Sequence, residues 1–119
     1  ACVLAAVDAG HVVDVPGPHR SIMAGLNCGT ASMVALPLVT AGFDAFVTID
    51  DDRCRAALAA LAAAGLDVGE CGAAGIGALA EIRAAYPHVV APSAAALVIA
   101  TEGVTDPANF AAIVGRPPR

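Results

Sequence analysis

Two short apolar runs constrain this chain most. One is Phe43 to Asp50, with Phe43, Phe46, Val47 and Ile49. The other is Ala94 to Ala100, ending in Leu97-Val98-Ile99. Each stops at a polar turn and leads into a helix signal: Asp50-Asp51-Asp52 after the first, Thr101-Glu102-Gly103 and then Asp106-Pro107 after the second. Asp106 reads as an N-cap and Pro107 as the first helical residue. Buried apolar runs that alternate with helices read as strands of an α/β fold. Two strands alone cannot cover both faces of a doubly wound sheet. The pattern therefore predicts part of a larger parallel sheet, incomplete on its own. In such sheets ligands sit beyond the carboxyl ends of strands. Ala100 to Gly103 is then the place for chemistry: Thr101 brings a hydroxyl, Glu102 a carboxylate and Gly103 close backbone approach.

The rest of the chain reads as helices joined by short connections. Ala1 to Ala9 is the end of a helix stopped by Gly10. Val12, Val13 and Val15 form a short extended piece, closed by the Pro16-Gly17-Pro18 turn. Ser21 to Thr30 contains Gly25 and Gly29 and reads as a buried loop or broken strand. Ala31 to Ala41 is helical, bent or divided by Pro37 and ended by Gly42. The three aspartates at 50–52 invite a metal reading, but capping the next helix is the stronger one. Arg53 to Ala64 is amphipathic through Leu58 and Leu61, and Gly65 stops it. Gly69 to Gly77 is rich in small residues and opens a helix running to Ala85. Its start must lie close to another backbone or a ligand. Tyr86 to Ser93 is a loop, and Pro107 to Val114 the last helix.

Composition excludes several classes. The net charge is −5 and no basic run occurs, which argues against nucleic acid. Mean hydropathy is +0.75, yet the uncharged stretch 21–43 is broken by Gly25, Asn27, Gly29, Pro37 and Gly42, unlike a spanning helix. Cys2, Cys28, Cys54 and Cys71 have no C-x-x-C spacing, so a metal site is not expected. They read as reduced thiols in a cytoplasmic protein. Cys28 reads as a packed thiol rather than a nucleophile, and a thiol enzyme using Cys28 or Cys71 is the weaker alternative. The six basic residues are all arginines and there is no lysine. The first residue is Ala1, which fits either processing or a chain that begins within something larger.

Four motifs carry a resemblance. Ser-Ile-Met-Ala-Gly-Leu-Asn-Cys-Gly-Thr at 21–30 resembles a Met-Ala-Gly-Leu-x-Cys-Gly signature. Asp44-Ala-Phe-Val-Thr-Ile-Asp-Asp resembles a strand leading into a helix. Gly69-Glu-Cys-Gly-Ala-Ala-Gly resembles Glu-x-Ser-Gly-Ala-Ala-Gly. Ala100-Thr-Glu-Gly-Val-Thr-Asp-Pro resembles Ser-Thr-Glu-Gly-x-Thr-Asp. Together, in this order, they are similar to the C-terminal third of pyridoxal-phosphate enzymes of the threonine-dehydratase type (fold type II), in the diaminopropionate ammonia-lyase branch.

The resemblance implies one C-terminal fragment, 1–119, of a cofactor-binding large domain in a parallel three-layer sheet. It implies a lyase of amino-acid degradation that eliminates ammonia from 2,3-diaminopropionate or a related amino acid to give pyruvate. The complete enzyme would be a homodimer with pyridoxal 5'-phosphate as cofactor. Gly25, Glu70, Ala100 and Thr101 would line the cofactor end. The family's Schiff-base lysine, phosphate loop and catalytic carboxylates lie upstream of the matched part, and a chain without lysine cannot form the Schiff base. At position 100 the family has a serine that bonds the pyridine nitrogen; Ala100 cannot. Leu36, Ala31 and Met33 stand where that branch has tryptophan and prolines. The alternative is a non-catalytic α/β module or remnant that associates with a partner subunit.

Overall fold

A computed structural model describes residues 1–91 and 93–119; Pro92, within the connection read at 86–93, lies outside the described residues. The described residues form five α-helices: α1 (Cys2–Ala9), α2 (Leu36–Gly42), α3 (Asp51–Ala63), α4 (Glu70–Ala85) and α5 (Pro107–Val114). A single 3-10 turn covers Ala24–Leu26. The chain divides into two compact units, one of residues 1–21 and 25–48, the other of residues 22–24 and 49–119.

In the first unit, α1 ends where Gly10 takes a left-handed φ of 73°, and its N–H donates to the Val7 carbonyl. A glycine there avoids the Cβ penalty of that conformation. The next piece of chain makes one isolated antiparallel bridge, Asp14 with Thr30. Val15 N–H donates to Gly29 O at 2.8 Å, and Thr30 Oγ1 donates to Asp14 Oδ1 at 2.5 Å. Gly29 is required here: a Cβ would lie 2.7 Å from the His19 ring and 3.0 Å from Val15 O. Pro37 does not bend a longer helix. It stands in the first turn of α2, where a missing N–H leaves no helical bond unmade. The small core is Cys2, Ala6 and Ala31, with Val15 and Leu36 packed against it.

The second unit is α3, α4 and α5 around a larger core. Phe110, Leu58 and Cys54 are fully buried, and Met23, Ala57, Ala62, Ala73 and Ala74 complete the cluster. One of the three aspartates caps α3, as the sequence implies, and Asp51 and Asp52 stand in its first turn. Asp50 Oδ1 accepts from Arg53 N at 2.8 Å, and Asp51 accepts from Ile22 N at 3.2 Å. Asp106 Oδ1 accepts from Asn109 N at 2.9 Å at the start of α5. Small residues let α4 approach closely, and a Cβ at Gly77 would lie 2.9 Å from Ile49 Cδ1.

The polar tail is tied down as well. Arg116 grips Asp67 through both guanidinium nitrogens, at 2.6 and 2.9 Å, and lies over the Phe110 ring. Arg119 N adds a third bond to the same carboxylate at 2.7 Å. With its side chain 8% exposed, Asp67 is held well below the ordinary carboxylate range by the Arg116 hydrogen bond, with the Arg119 backbone bond next.

The expected α/β architecture is not what forms. Among the described residues there is no sheet, so the parallel three-layer reading is overturned. Residues 43–50 and 94–104 lie in neither a helix nor a ladder. Leu97 and Ile99 are 89% and 74% exposed, and Phe43 is 63% exposed. The physical reason is that a strand exists only with a partner for its backbone groups. The apolar runs carry the side chains of strands, but neither pairs with another segment. In the second run the period-2 character survives as one-sided contact of Val98, Ala100 and Glu102 with α4.

Candidate functional site

The start of α4 and the segment 98–103 form the densest convergence of polar groups that the sequence singled out. The segment runs along the small-residue face of the helix. A Cβ at Gly75 would lie 2.7 Å from Val98 Cγ1. One at Gly72 would lie 3.5 Å from Ala100 Cβ and 3.1 Å from Glu102 O, and one at Gly69 only 2.5 Å from Gly103 O. Residues 98, 100 and 102 therefore face α4, and alternation turns Leu97, Ile99 and Thr101 away from it. This answers the question that the glycine tract posed: the close neighbour of α4 is this chain's own backbone.

Each implied site residue has a definite place. Glu70 is buried, 4% exposed, at the first position of α4. Its Oε1 accepts from Asn109 Nδ2 of α5 at 2.5 Å. Ala100 presents its methyl to Gly72, and Thr101 is exposed. Glu102 Oε1 accepts from Cys71 N at 3.0 Å. Gly25 lies in the 3-10 turn of residues 24–26, is exposed, and belongs to the other compact unit. The structure thus gathers Glu70, Ala100 and Thr101 about one helix start. Asn109 was not among the expected residues. Its signal was available: it stands three residues after the Asp106 cap, in the first turn of α5, where it can reach a neighbouring helix.

The thiols divide by environment. Cys28 is exposed, not the packed thiol the sequence suggested, while Cys2 and Cys54 are buried. Cys54 Sγ donates to Glu70 O at 3.2 Å. Burial, with the Glu70 and Asp51 carboxylates near it, pushes the Cys54 thiol up to about 11. A thiol so protonated is a poor nucleophile. No group of three or more His, Cys, Asp or Glu among the described residues could hold a metal ion. No described helix is long and apolar enough to cross a membrane.

Comparison with known proteins gives one informative match. The chain is 34% identical, over a 125-residue alignment, to diaminopropionate ammonia-lyase of Salmonella typhimurium strain LT2. The alignment takes in 92% of this chain and 30% of that protein. The chain thus spans under a third of the relative's length and resembles a fragment of it. No family profile and no solved structure matches the chain.

Proposed function

We propose that this chain supplies part of a pyridoxal-phosphate-dependent ammonia-lyase acting on 2,3-diaminopropionate or a related amino acid. The observation that carries the reading is the 34% identity to a diaminopropionate ammonia-lyase across 92% of the chain. The reaction would release one ammonia by elimination and, with water, a second ammonia and pyruvate.

The residues at hand do not make a cofactor site by themselves. The chain has no lysine to bind pyridoxal phosphate covalently. Its two nearby carboxylates are engaged, Glu70 with Asn109 and Glu102 with the backbone of α4. Ala100 offers only a methyl. The exposed Thr101 hydroxyl is the polar side chain on the outward side of the segment. The contribution proposed for this chain is a wall of Glu70, Ala100 and Thr101 at the start of α4; Gly25, in the other compact unit, is left out of it. No bond-making step is assigned to these residues.

The test is a hybrid in which this chain replaces the matching 30% of the Salmonella enzyme. Pyruvate release from 2,3-diaminopropionate is expected from the hybrid and not from the 119-residue chain alone. A hybrid that folds, binds pyridoxal phosphate and releases no pyruvate would count against the proposal.

A further inference from the structure

Helix α4 begins without a cap of its own. Its N-cap is Gly69, which has no side chain to accept from the first helical N–H groups. Nor can a larger residue supply one. A Cβ at position 69 would lie 2.5 Å from Gly103 O and 2.7 Å from Glu102 Oε1. The space that a serine or aspartate cap would fill is taken by residues 102 and 103. In return, Glu102 Oε1 reaches the Cys71 N–H at 3.0 Å, the second N–H of the helix, across 31 positions of sequence.

We infer that Glu102 is a long-range cap that straps the 100–104 loop to the start of α4, and that Gly69 is glycine to admit it. The carboxylate sits where backbone N–H groups and the helix dipole favour negative charge. This end of α4 is thus closed by an internal anion. The strap sets the register of the whole segment. With residue 102 fixed on Cys71, Ala100 falls on Gly72, Val98 on Gly75, and Thr101 is turned outward. Glu102 is a positioning residue, and its role holds whether or not the chain takes part in a lyase.

Amide hydrogen exchange on the full 119-residue chain tests this. In Glu102→Ala the Cys71 amide is expected to exchange about tenfold faster, the loss of one charge-assisted hydrogen bond. Amides of residues 100–104 should lose protection in the same variant. Glu102→Gln keeps an acceptor oxygen and should retain most of the Cys71 protection. The second test inverts a general rule. Serine is a better N-cap than alanine and usually at least matches glycine, yet Gly69→Ser should lower the melting temperature here, because it evicts the strap. A Glu102→Ala chain with native helicity and unchanged Cys71 exchange would overturn the inference. So would a Gly69→Ser chain that melts higher than the parent. Should Glu102→Ala not fold, Glu102→Gln and Gly69→Ser still decide.

Discussion

The two compact units use the same alanine-rich alphabet to different effect. The first is built on Cys2, Ala6 and Ala31, and its helices α1 and α2 have no side-chain caps. The second buries Phe110 and Leu58, caps α3 with Asp50 and α5 with Asp106, and anchors its tail on Asp67. Apolar burial stabilises by roughly 25 cal/mol per Å², so three small side chains contribute far less than a core with a phenylalanine and a leucine at its centre. The comparison teaches that alanine and glycine set how closely helices approach, while a few large residues set how firmly they stay.

Phe110→Ala should have the largest effect. It removes the biggest fully buried side chain and the ring beneath Arg116, and a loss of about 3–5 kcal/mol is expected. Denaturant unfolding measures the loss. Exchange of α3 to α5 amides should rise while α1 amides keep their protection, and loss of α1 protection in the same step would break the comparison.

Alkaline pH should act next, and again on the second unit. Cys54 is raised from 9.0 to about 11 in the folded chain. A group that holds its proton more tightly when folded contributes stability that is fully present below 9.0. That stability is lost as pH rises through 9 towards 11, on the order of 2–3 kcal/mol in total. Melting temperatures from pH 8 to 11 should fall more steeply in the parent than in Cys54→Ala. Parallel curves for the two would remove the buried thiol from the account.

The smallest effect belongs to the first unit. Ala6→Gly in α1 should cost about 1–2 kcal/mol, from helix propensity plus the loss of one fully buried methyl. Exchange of α1 amides reads it directly. A loss several times larger would show that the alanine core is better packed than its residues suggest.

The candidate site was partly legible. The sequence marked the Gly69–Gly77 tract as a close approach and, separately, 100–103 as a place for chemistry, and the two meet at the start of α4. It put Glu70 at the cofactor end and Glu102 in the segment for chemistry; in the fold Glu70 holds Asn109 and Glu102 holds Cys71 N. Each bond spans more than thirty residues, and no local pattern reports such a partner.

What the sequence determined by itself is the set of helices and several of their ends: Gly10 after α1, an aspartate of the 50–52 run before α3, Gly65 after it, and Asp106-Pro107 opening an α5 that runs to Val114. These depend on hydrogen bonds and backbone angles within a few residues, which local chemistry fixes. Tertiary structure alone decided the state of the two apolar runs. Their composition is that of strands, but strand pairing is a non-local bond between segments, and neither run finds one among the described residues. The long-range cap on α4 is the same lesson in miniature. Gly69 declares that a cap is missing, and only the folded chain names Glu102 as the residue that provides it.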